Sequence, residues 1–387
     1  MRPDSRAVHA GREVRAREPL APPIVQASVY VFDDLEDYDA VASGRSPGHA
    51  YGRHSNENVA SLEEAVAALE GAEEGMAAAS GMAAIFCAVL AFCPRPSTIA
   101  VAGTAYGTTL AMLHKDLEPL GYVIREVDTG DLAAVAQAVD GAGLLICETI
   151  SNPLCRVPDL KAIGRLGRQS GTAVLVDNTF ASPMLCRPLE LGATAVVHSA
   201  TKYIGGHSDL LAGVLAGSHE LVAAARSVMI RTGGSLGPFE AWLALRGLRT
   251  LHLRMSRHSA NGLRLAEALR ELPAVGAVHH PLLDEPARRE VAARILPNGS
   301  GGMFAFDLPG GRPSVQAMLS RFGLVRFAAS LAGVETTVSY PEITSHRSLT
   351  PDERLARGIT SGTVRVSTGL EDPDDLIEDF RQALAEC

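Results

Sequence analysis

Apolar and polar residues along the chain form two alternating patterns, and together they predict a sheet covered by helices. Short apolar runs typical of buried strands occur at 98–102, 144–147 and 195–197. Between such runs apolar residues recur every three or four positions, as at 57–70, which predicts amphipathic helices. Because strands and helices alternate from about residue 55 to residue 250, we predict an α/β fold with a mostly parallel sheet flanked by helices.

The residues before and after this alternating pattern are predicted to form other units of structure. Residues 1–54 contain five prolines with many glycines and charged residues, which favours an extended arm over a packed unit. Such an arm needs a surface to lie on, so we expect it to reach a neighbouring subunit. A long helix ending near residue 272 is the expected hinge between a domain of residues 55–250 and a smaller C-terminal α+β domain of residues 251–387.

Composition and charge narrow the range of partners. With 35 basic and 44 acidic residues the formal net charge is −9, which argues against nucleic acid and anionic membranes as partners. The six cysteines form no CxxC pair and do not alternate with histidine at zinc spacing, so we expect core residues and no metal site. The N-terminus shows no secretory signal, and the longest apolar run, 76–93, is interrupted by Ser80 and Gly81. We therefore expect a cytoplasmic protein.

The candidate chemistry begins with residues 195–217, where a single lysine follows a predicted strand. Lys202 is the only cation between Arg187 and Arg226, and small hydroxyl and glycine residues surround it. Such a lysine either contacts a phosphate or supplies its amine as a Schiff-base nucleophile. Neither a GxxxxGK[ST] phosphate loop before it nor a GxGxxG dinucleotide motif at the start of the predicted sheet is present. Taken alone, Lys202 could also be an exposed loop lysine.

A carboxylate at the end of another predicted strand favours a cofactor. The run TAVLVDNTF brings Asp177 to the carboxyl end of that strand. Pyridoxal phosphate (PLP) needs a lysine for its aldehyde and a carboxylate that keeps its ring nitrogen protonated. Open α/β sheets bind ligands at the carboxyl ends of their strands, where Asp177 and Lys202 would meet, with Ser199 and Thr201 as phosphate donors. A loop-capping role for Asp177 is the alternative.

The motifs VDNTF and HSATKYIGGHSD resemble those of the Cys/Met-metabolism family of PLP-dependent enzymes. The resemblance extends from SRAVHAG near the N-terminus to VRVSTGLEDPDDL near the C-terminus. It implies a fold-type I PLP-dependent transferase, similar to aspartate aminotransferase, with residues 55–250 as the PLP-binding domain. It also implies a homotetramer, a dimer of dimers with shared active sites, that acts on a small sulfur-containing or O-activated amino acid.

The resemblance implies further site residues within one subunit. Gly81 and Met82, in SGM, correspond to the family's phosphate cradle, where helix N–H groups face the anion. Tyr106 corresponds to the aromatic residue that stacks on the PLP ring. From the pattern alone, Arg365 is either a solvent-facing edge residue or a buried carboxylate receptor, and the resemblance favours the receptor. The family's substrate-binding residues correspond to Asn152, Ser330 and Arg365.

Two residues of the N-terminal arm are also implied in the site. Tyr51 and Arg53, in HAYGR, correspond to family residues that reach the cofactor phosphate of a neighbouring subunit. In the implied mechanism Lys202 moves protons, and Tyr51 or Tyr106 assists departure of the γ-substituent. The family usually continues with Ser-Asn-Pro-Thr, whereas this chain has Ser-Asn-Glu-Asn at 55–58.

Substrate choice within the family depends on a few positions. Cystathionine synthases and γ-lyases have acids where this chain has Ala50 and Ala329, so a counter-charge for the distal ammonium of cystathionine is missing. Methionine γ-lyases also lack these acids. However, their cysteine after the stacking tyrosine is Thr108 here, and their Lys-Asp pair has at best Arg231-Thr232 as its counterpart.

Three interpretations therefore remain open from the sequence. The first is a methionine γ-lyase-like carbon–sulfur lyase, which eliminates from methionine or homocysteine and gives 2-oxobutyrate, ammonia and a thiol. The second is γ-replacement or transsulfuration, as in cystathionine γ-synthase, cystathionine γ-lyase and O-acylhomoserine sulfhydrylase. The third is a non-catalytic relative that binds cofactor. Because Lys202, Asp177 and Arg365 are all present, we expect an enzyme.

Overall fold

The computed structural model of this chain describes residues 1–12, 14, 17–347 and 349–385. The α-helices within these ranges are α1 Pro3–His9, α2 Leu35–Ala42, α3 Glu57–Glu70, α4 Gly81–Phe92, α5 Gly107–Ala111, α6 Leu132–Val139, α7 Leu160–Ser170, α8 Ser182–Leu185, α9 His219–Thr232, α10 Pro238–Leu248, α11 Leu251–Arg270, α12 Pro286–Ile295, α13 Gly311–Leu319, α14 Pro351–Ala356 and α15 Pro373–Leu384. The strands are β1 Glu74–Ala78, β2 Thr98–Ala102, β3 Val123–Val127, β4 Leu144–Glu148, β5 Ala173–Asp177, β6 Ala195–Ser199, β7 Gly213–Gly217, β8 Ala277–His279, β9 Met303–Asp307, β10 Arg326–Phe327, β11 Thr337–Ser339 and β12 Thr363–Ser367. None of the helices in the described ranges is long and apolar enough to cross a membrane.

The larger sheet has seven strands in the order β1-β7-β6-β5-β4-β2-β3. Neighbours from β6 to β3 are parallel, whereas β7 runs antiparallel to both β1 and β6. Strands β4 and β6 are buried over their first four residues, as expected where helices cover a parallel sheet. Helices α3, α4, α6 and α7 pack against this sheet. The predicted α/β fold with a mostly parallel sheet is confirmed.

The parallel arrangement brings three polar residues to one edge of the larger sheet. Glu148 ends β4 and lies in register with Asp177, which ends β5. Asp177 in turn lies in register with Val197 of β6, two residues before Ser199. Because parallel strands end at the same edge, polar side chains that follow separate apolar runs in the sequence become neighbours.

The smaller sheet has five strands in the order β10-β11-β12-β9-β8. Its core is separate from that of the larger sheet and contains Phe304, Phe306 and Phe380. Helix α11 contributes to both cores, with Leu251 in the first and Leu265 in the second. This helix lies where the hinge was predicted, although the domain boundary at residue 250 stays a prediction.

The N-terminal region differs from the extended arm that the sequence predicted, because it contains helices α1 and α2. Helix α1 packs against α3 and buries Ala7 completely. Gly11 follows with a φ of 88°, and a Cβ there would lie 2.2 Å from the carbonyl oxygen of Ser61, so only glycine permits this close docking. Beyond it the region exposes large apolar side chains, which include Leu20, Val31 and Leu35.

Candidate active site

A cavity of about 830 Å³ opens at the carboxyl edge of the larger sheet, between this sheet and the smaller one. Its volume lies in the range of roughly 300–1,000 Å³ typical of small-molecule sites. Ten of the predicted site residues line it: Gly81, Met82, Tyr106, Asn152, Asp177, Ser199, Thr201, Lys202, Ser330 and Arg365. The fold thus brings together residues from Gly81 to Arg365, which are far apart in the sequence.

Lys202 lies just beyond the end of β6, on a turn held by the backbone. Its own N–H donates to the carbonyl of Ser199 at 3.0 Å, and its carbonyl accepts from the N–H of Gly206 at 2.7 Å. Burial lowers the pKa of the Lys202 amine, and the positive charge of Arg365 lowers it further. An amine with a lowered pKa is more often unprotonated, which is the form that reacts as a nucleophile or base.

Asp177 and Glu148 form a pair of carboxyl groups at the ends of adjacent strands. Burial raises the pKa of Glu148 well above its ordinary value, and the charge of Asp177 raises it further. Burial also raises the pKa of Asp177, but the hydroxyl and N–H of Thr179 donate to its carboxylate and lower the pKa in turn. Glu148 also accepts backbone hydrogen bonds that favour its charged form, but its pKa is still raised well above the ordinary value, so Asp177 is the more acidic of the two.

Helix α4 begins beside Ser199 and offers a place for a phosphate. Ser80 caps the helix by accepting from the N–H of Ala83 at 3.1 Å. At Gly81 a Cβ would come within 2.9 Å of the Ser199 Cβ, so a glycine is needed for the helix to start so close to β6. The hydroxyl of Thr201 bonds with the backbone of Ala212, accepting from its N–H at 3.0 Å.

Arg365 lies at the centre of the smaller sheet, in β12, and is 5% exposed. Its Nη1 donates to the Asn152 side-chain oxygen at 2.9 Å, and its Nη2 donates to the carbonyl of Ser330 at 3.1 Å. The Nε is buried and has no hydrogen-bond partner in the described part of the chain. A buried donor without a partner is costly, so this guanidinium is suited to a ligand that accepts from it.

Of the two tyrosines and the arginine that the resemblance implied near the PLP ring and its phosphate, only one tyrosine lines the cavity of its own chain within the described residues. Tyr106 lines the cavity, and its backbone N–H donates to Glu148 at 2.8 Å. Tyr51 and Arg53 do not line it, because the N-terminal region carries them away from the cavity of their own chain. Tyr51 pairs with Val29 in an isolated bridge, and Arg53 donates to the carbonyl of Ile230 at 2.7 Å.

Three residues of the site were not assigned roles from the sequence. Glu148 had the same signal as Asp177, a polar residue at the end of an apolar strand, and this signal could have identified it. Thr179 joins two strand ends, since its hydroxyl also accepts from the Ser199 N–H at 2.8 Å. Arg347 lines the cavity from a distant loop, and no pattern in the sequence indicates this.

Comparisons with known proteins agree over the full length. A family model described as Cys/Met metabolism PLP-dependent enzyme matches residues 4–385. The chain belongs to this family. It is similar to L-methionine gamma-lyase of Pseudomonas putida, with 40% identity over 384 residues, covering 98% of this chain and 96% of the relative. It is also similar to O-succinylhomoserine sulfhydrylase of Pseudomonas aeruginosa, with 37% identity over 383 residues, covering 99% and 95%.

The fold of this family member is also similar to that of solved structures over the whole chain. Cystathionine gamma synthase from Xanthomonas oryzae pv. oryzae, solved with aminoacrylate and cysteine, superposes with a TM-score of 0.93. The two are 34% identical, and the match covers 100% of this chain and 98% of that one. The predicted fold-type I architecture, the family and its PLP cofactor are confirmed by these comparisons.

The residues present fit PLP. Among the described residues that line the cavity there is one lysine, whose lowered pKa suits reaction with an aldehyde. The cavity also contains Asp177, a carboxyl group of the kind that keeps a PLP ring nitrogen protonated. A side chain at Gly81 would collide with Ser199 and would obstruct the N-terminus of α4. Because Gly81 has no side chain, this N-terminus is open to a phosphate. The donor set is therefore complete apart from any group that a second subunit supplies.

Proposed function

We propose that this family member catalyses γ-elimination on a sulfur amino acid, methionine or homocysteine, and releases 2-oxobutyrate, ammonia and a thiol. The observation that carries the proposal is Ala329 in the wall of the cavity that contains Lys202 and Arg365. An alanine there provides no counter-charge for the distal ammonium of cystathionine. Burying that ammonium unpaired costs on the order of several kcal/mol. A thiol such as methanethiol leaves without a charged group and meets no such penalty.

Arg365 binds the α-carboxylate of the substrate in this proposal. Its guanidinium is held in place by Asn152 and Ser330, which occupy one donor on each terminal nitrogen. Arg365 lines the cavity, and its Nε has no hydrogen-bond partner among the described residues, so the carboxylate gains a charge-assisted pair with a defined orientation. This orientation sets the Cα–H bond of the substrate toward the lysine.

Lys202 holds the cofactor and then moves protons. When bound, PLP supplies an aldehyde for the amine and an electron-withdrawing ring, whose nitrogen Asp177 keeps protonated. The Lys202 amine removes the α-proton and afterwards one from Cβ, which its lowered pKa favours near neutrality. Tyr106 stacks on the ring and, with Tyr51 of a second subunit, assists departure of the thiol. Ser199, Thr201 and the N–H groups of Gly81 and Met82 bind the phosphate.

A second candidate function is γ-replacement on an acylated homoserine. It is favoured by the similarity to the sulfhydrylase at 37% identity. The two reactions use the same proton transfers by Lys202 and the same carboxylate pair with Arg365. They differ after the γ-substituent has left. In γ-replacement a thiol adds to Cγ, whereas in γ-elimination Cγ takes up a proton and water hydrolyses the released imine to 2-oxobutyrate and ammonia.

The test is to incubate the purified holoenzyme with methionine, homocysteine, cystathionine and O-acetylhomoserine and to measure 2-oxobutyrate and thiol. We expect kcat/KM for methionine or homocysteine to exceed that for cystathionine by roughly tenfold or more. Replacing both alanines, Ala50→Glu with Ala329→Glu, should move the preference toward cystathionine. Borohydride should attach the cofactor to Lys202, and the Lys202→Ala variant is the inactive control.

Two results would contradict the proposal. Cystathionine as clearly the best substrate of the unmodified enzyme would mean that another residue supplies the counter-charge. Faster formation of a thioether from O-acetylhomoserine and a thiol than of 2-oxobutyrate would favour γ-replacement.

We also propose a homotetramer of two dimers with shared sites. Tyr51 and Arg53 lie outside the cavity of their own chain, and the N-terminal region that carries them exposes large apolar side chains. Co-refolded Arg53→Ala and Lys202→Ala proteins, each inactive, should regain part of the activity through hybrid sites. Hybrids that form but stay inactive would show that Arg53 serves its own chain. The tetramer itself is checked by sedimentation.

A cytoplasmic location is proposed as well. The five cysteines in the described ranges are all buried free thiols, as in proteins of a reducing compartment. The sixth, Cys387, lies outside the described residues. Fractionation of cells that express the protein would test this location.

A further inference from the structure

The outer wall of the cavity carries an arginine to which the mechanism gives no role. Arg347 lines the cavity together with Thr344 and Ser345, on the loop that follows β11. This loop lies directly on the start of α5, since a Cβ at Gly107 would come within 2.6 Å of the Ser345 carbonyl oxygen. Arg347 therefore lies on the same side of the cavity as Tyr106.

Three other arginines near Arg347 in the sequence form side-chain hydrogen bonds or ion pairs within the described part of the chain, whereas Arg347 forms none there. Arg354 donates to the carbonyl of Leu349, and Arg357 pairs with Glu126 at 3.0 Å and donates to the carbonyl of Gly103. Arg365 donates to Asn152 and Ser330. Within the described residues, the Arg347 guanidinium forms no side-chain hydrogen bond or ion pair, and the side chain is exposed.

The charges that line the cavity are unevenly distributed. Its only lining carboxyl groups, within the described chain, are Glu148 and Asp177, and both lie at the ends of the strands of the larger sheet. The wall formed by the smaller sheet and the loop after β11 carries Ala329 and Arg347 instead. On this wall of the cavity Arg347 therefore provides a positive charge, and none of the described residues of the same wall provides a negative one.

We propose that Arg347 determines specificity by binding a carboxylate on the γ-substituent of the substrate. The inference rests on the proposed function, in which Arg365 fixes the α-carboxylate and the γ-substituent extends away from it. Arg347 then attracts an anionic group at the end of the substituent and repels an ammonium, while an uncharged substituent gains nothing from it. Among substituents of equal length, binding therefore weakens from those that end in a carboxylate, through uncharged ones such as those of methionine and homocysteine, to cationic ones.

The test measures binding without turnover. Three six-carbon amino acids with no leaving group are used: L-2-aminoadipate, L-norleucine and L-lysine, whose side chains end in a carboxylate, a methyl group and an ammonium. Their Kd values for the holoenzyme are measured by calorimetry. We expect aminoadipate to bind about fivefold more tightly than norleucine and lysine about fivefold more weakly, because the pair is partly exposed to solvent.

Variants make the assignment specific. Arg347→Gln should bring the Kd of aminoadipate to that of norleucine, and Arg347→Glu should make lysine the tighter of the two charged ligands. Arg289→Gln, at an exposed arginine of α12 outside the cavity, is the matched control and should keep the ranking. The difference should also shrink as salt is raised, since exposed charges are screened.

The outcomes separate this inference from the proposed function. Equal binding of the three amino acids, or a preference for aminoadipate that persists in Arg347→Gln, overturns the role of Arg347. A ranking that follows the charge at position 347 supports it, even if no thioether is eliminated. In that case only the proposed γ-elimination is contradicted. Failure of all three to bind the holoenzyme contradicts both.

Discussion

Two arginines, one packed against the turn that follows Lys202 and one in the wall of the cavity, are equally buried but have different surroundings. Arg254 and Arg365 are each 5% exposed, and burial lowers the pKa of each to about 10. Arg254 donates through all three nitrogens, to the Thr250 hydroxyl and to the backbone carbonyls of Tyr203, Ile204 and Gly247. Arg365 has only two of its nitrogens engaged, and its Nε has no partner in the described ranges.

The difference indicates what each arginine does. Arg254 fixes the turn that follows Lys202, and the turn is built around it, since a Cβ at Gly206 would lie 2.2 Å from the Arg254 Nη1. Arg365 has donors left over, which a ligand carboxylate can complete. Neither the burial nor the lowered pKa distinguishes a structural arginine from a receptor. The hydrogen-bond partners do.

The largest expected effect is the loss of activity when Arg365 is replaced. Arg365→Met removes the proposed carboxylate receptor and should lower kcat/KM roughly a hundredfold or more, chiefly through KM. The melting temperature should change little, because few protein hydrogen bonds are lost. Steady-state kinetics and thermal unfolding check the two parts. A large loss of stability with normal KM would make Arg365 structural.

The second prediction concerns the structural arginine. Arg254→Met removes the donor to the carbonyls of Tyr203 and Ile204 and one of the donors to the carbonyl of Gly247. We expect it to destabilise the holoenzyme by about 3 kcal/mol or more. Arg257→Met is the control, because Arg257 lies on the same helix but is exposed and donates only to the carbonyl of Glu371. Denaturant unfolding measures both variants. Equal stability of the two would contradict the role given to Arg254.

The smallest expected effect is on the pH dependence of stability, and it concerns His258, a buried histidine near Arg254. His258 stacks edge-on against Tyr203, with ring centroids 5.1 Å apart, and its Nδ1–H donates to the Thr368 carbonyl at 2.7 Å. Burial, then the charge of Arg254, lower its pKa to about 4, while the hydrogen bond to Thr368 acts in the opposite direction. Because the folded pKa lies below the unfolded one, the unfolded chain binds more protons between these values.

Stability should therefore be greatest above the ordinary histidine pKa of about 6.5 and fall as the pH drops toward 4. His258→Asn should reduce the slope by up to about 1.4 kcal/mol per pH unit in this window. Burial also lowers the pKa of His280 and His346 to about 4, so part of the slope remains in the variant. Unfolding at several pH values measures the slopes. An unchanged slope would show that His258 does not titrate in this way.

Much of the fold could be predicted from local pattern. The predicted strands at 98–102 and 144–147 and the helix at 57–70 coincide with β2, β4 and α3, because their apolar spacing and end signals are local properties of the chain. The N-terminal region could not be predicted as well. Prolines and charges favoured extended chain there, but contact with α3 stabilises α1, and a short helix depends on such packing.

The sequence by itself determined the chemistry that each motif carries, since Asp177, Lys202 and Arg365 lie in motifs whose residue types suit PLP and a carboxylate. Only the tertiary structure decided which of these residues share a cavity and which donors remain unused. Arg254 and Arg365 are equally arginine in the sequence, and Arg347 has no motif at all. Their roles depend on which carbonyls and carboxylates the fold places within hydrogen-bond distance, and contacts between distant residues have no local signal.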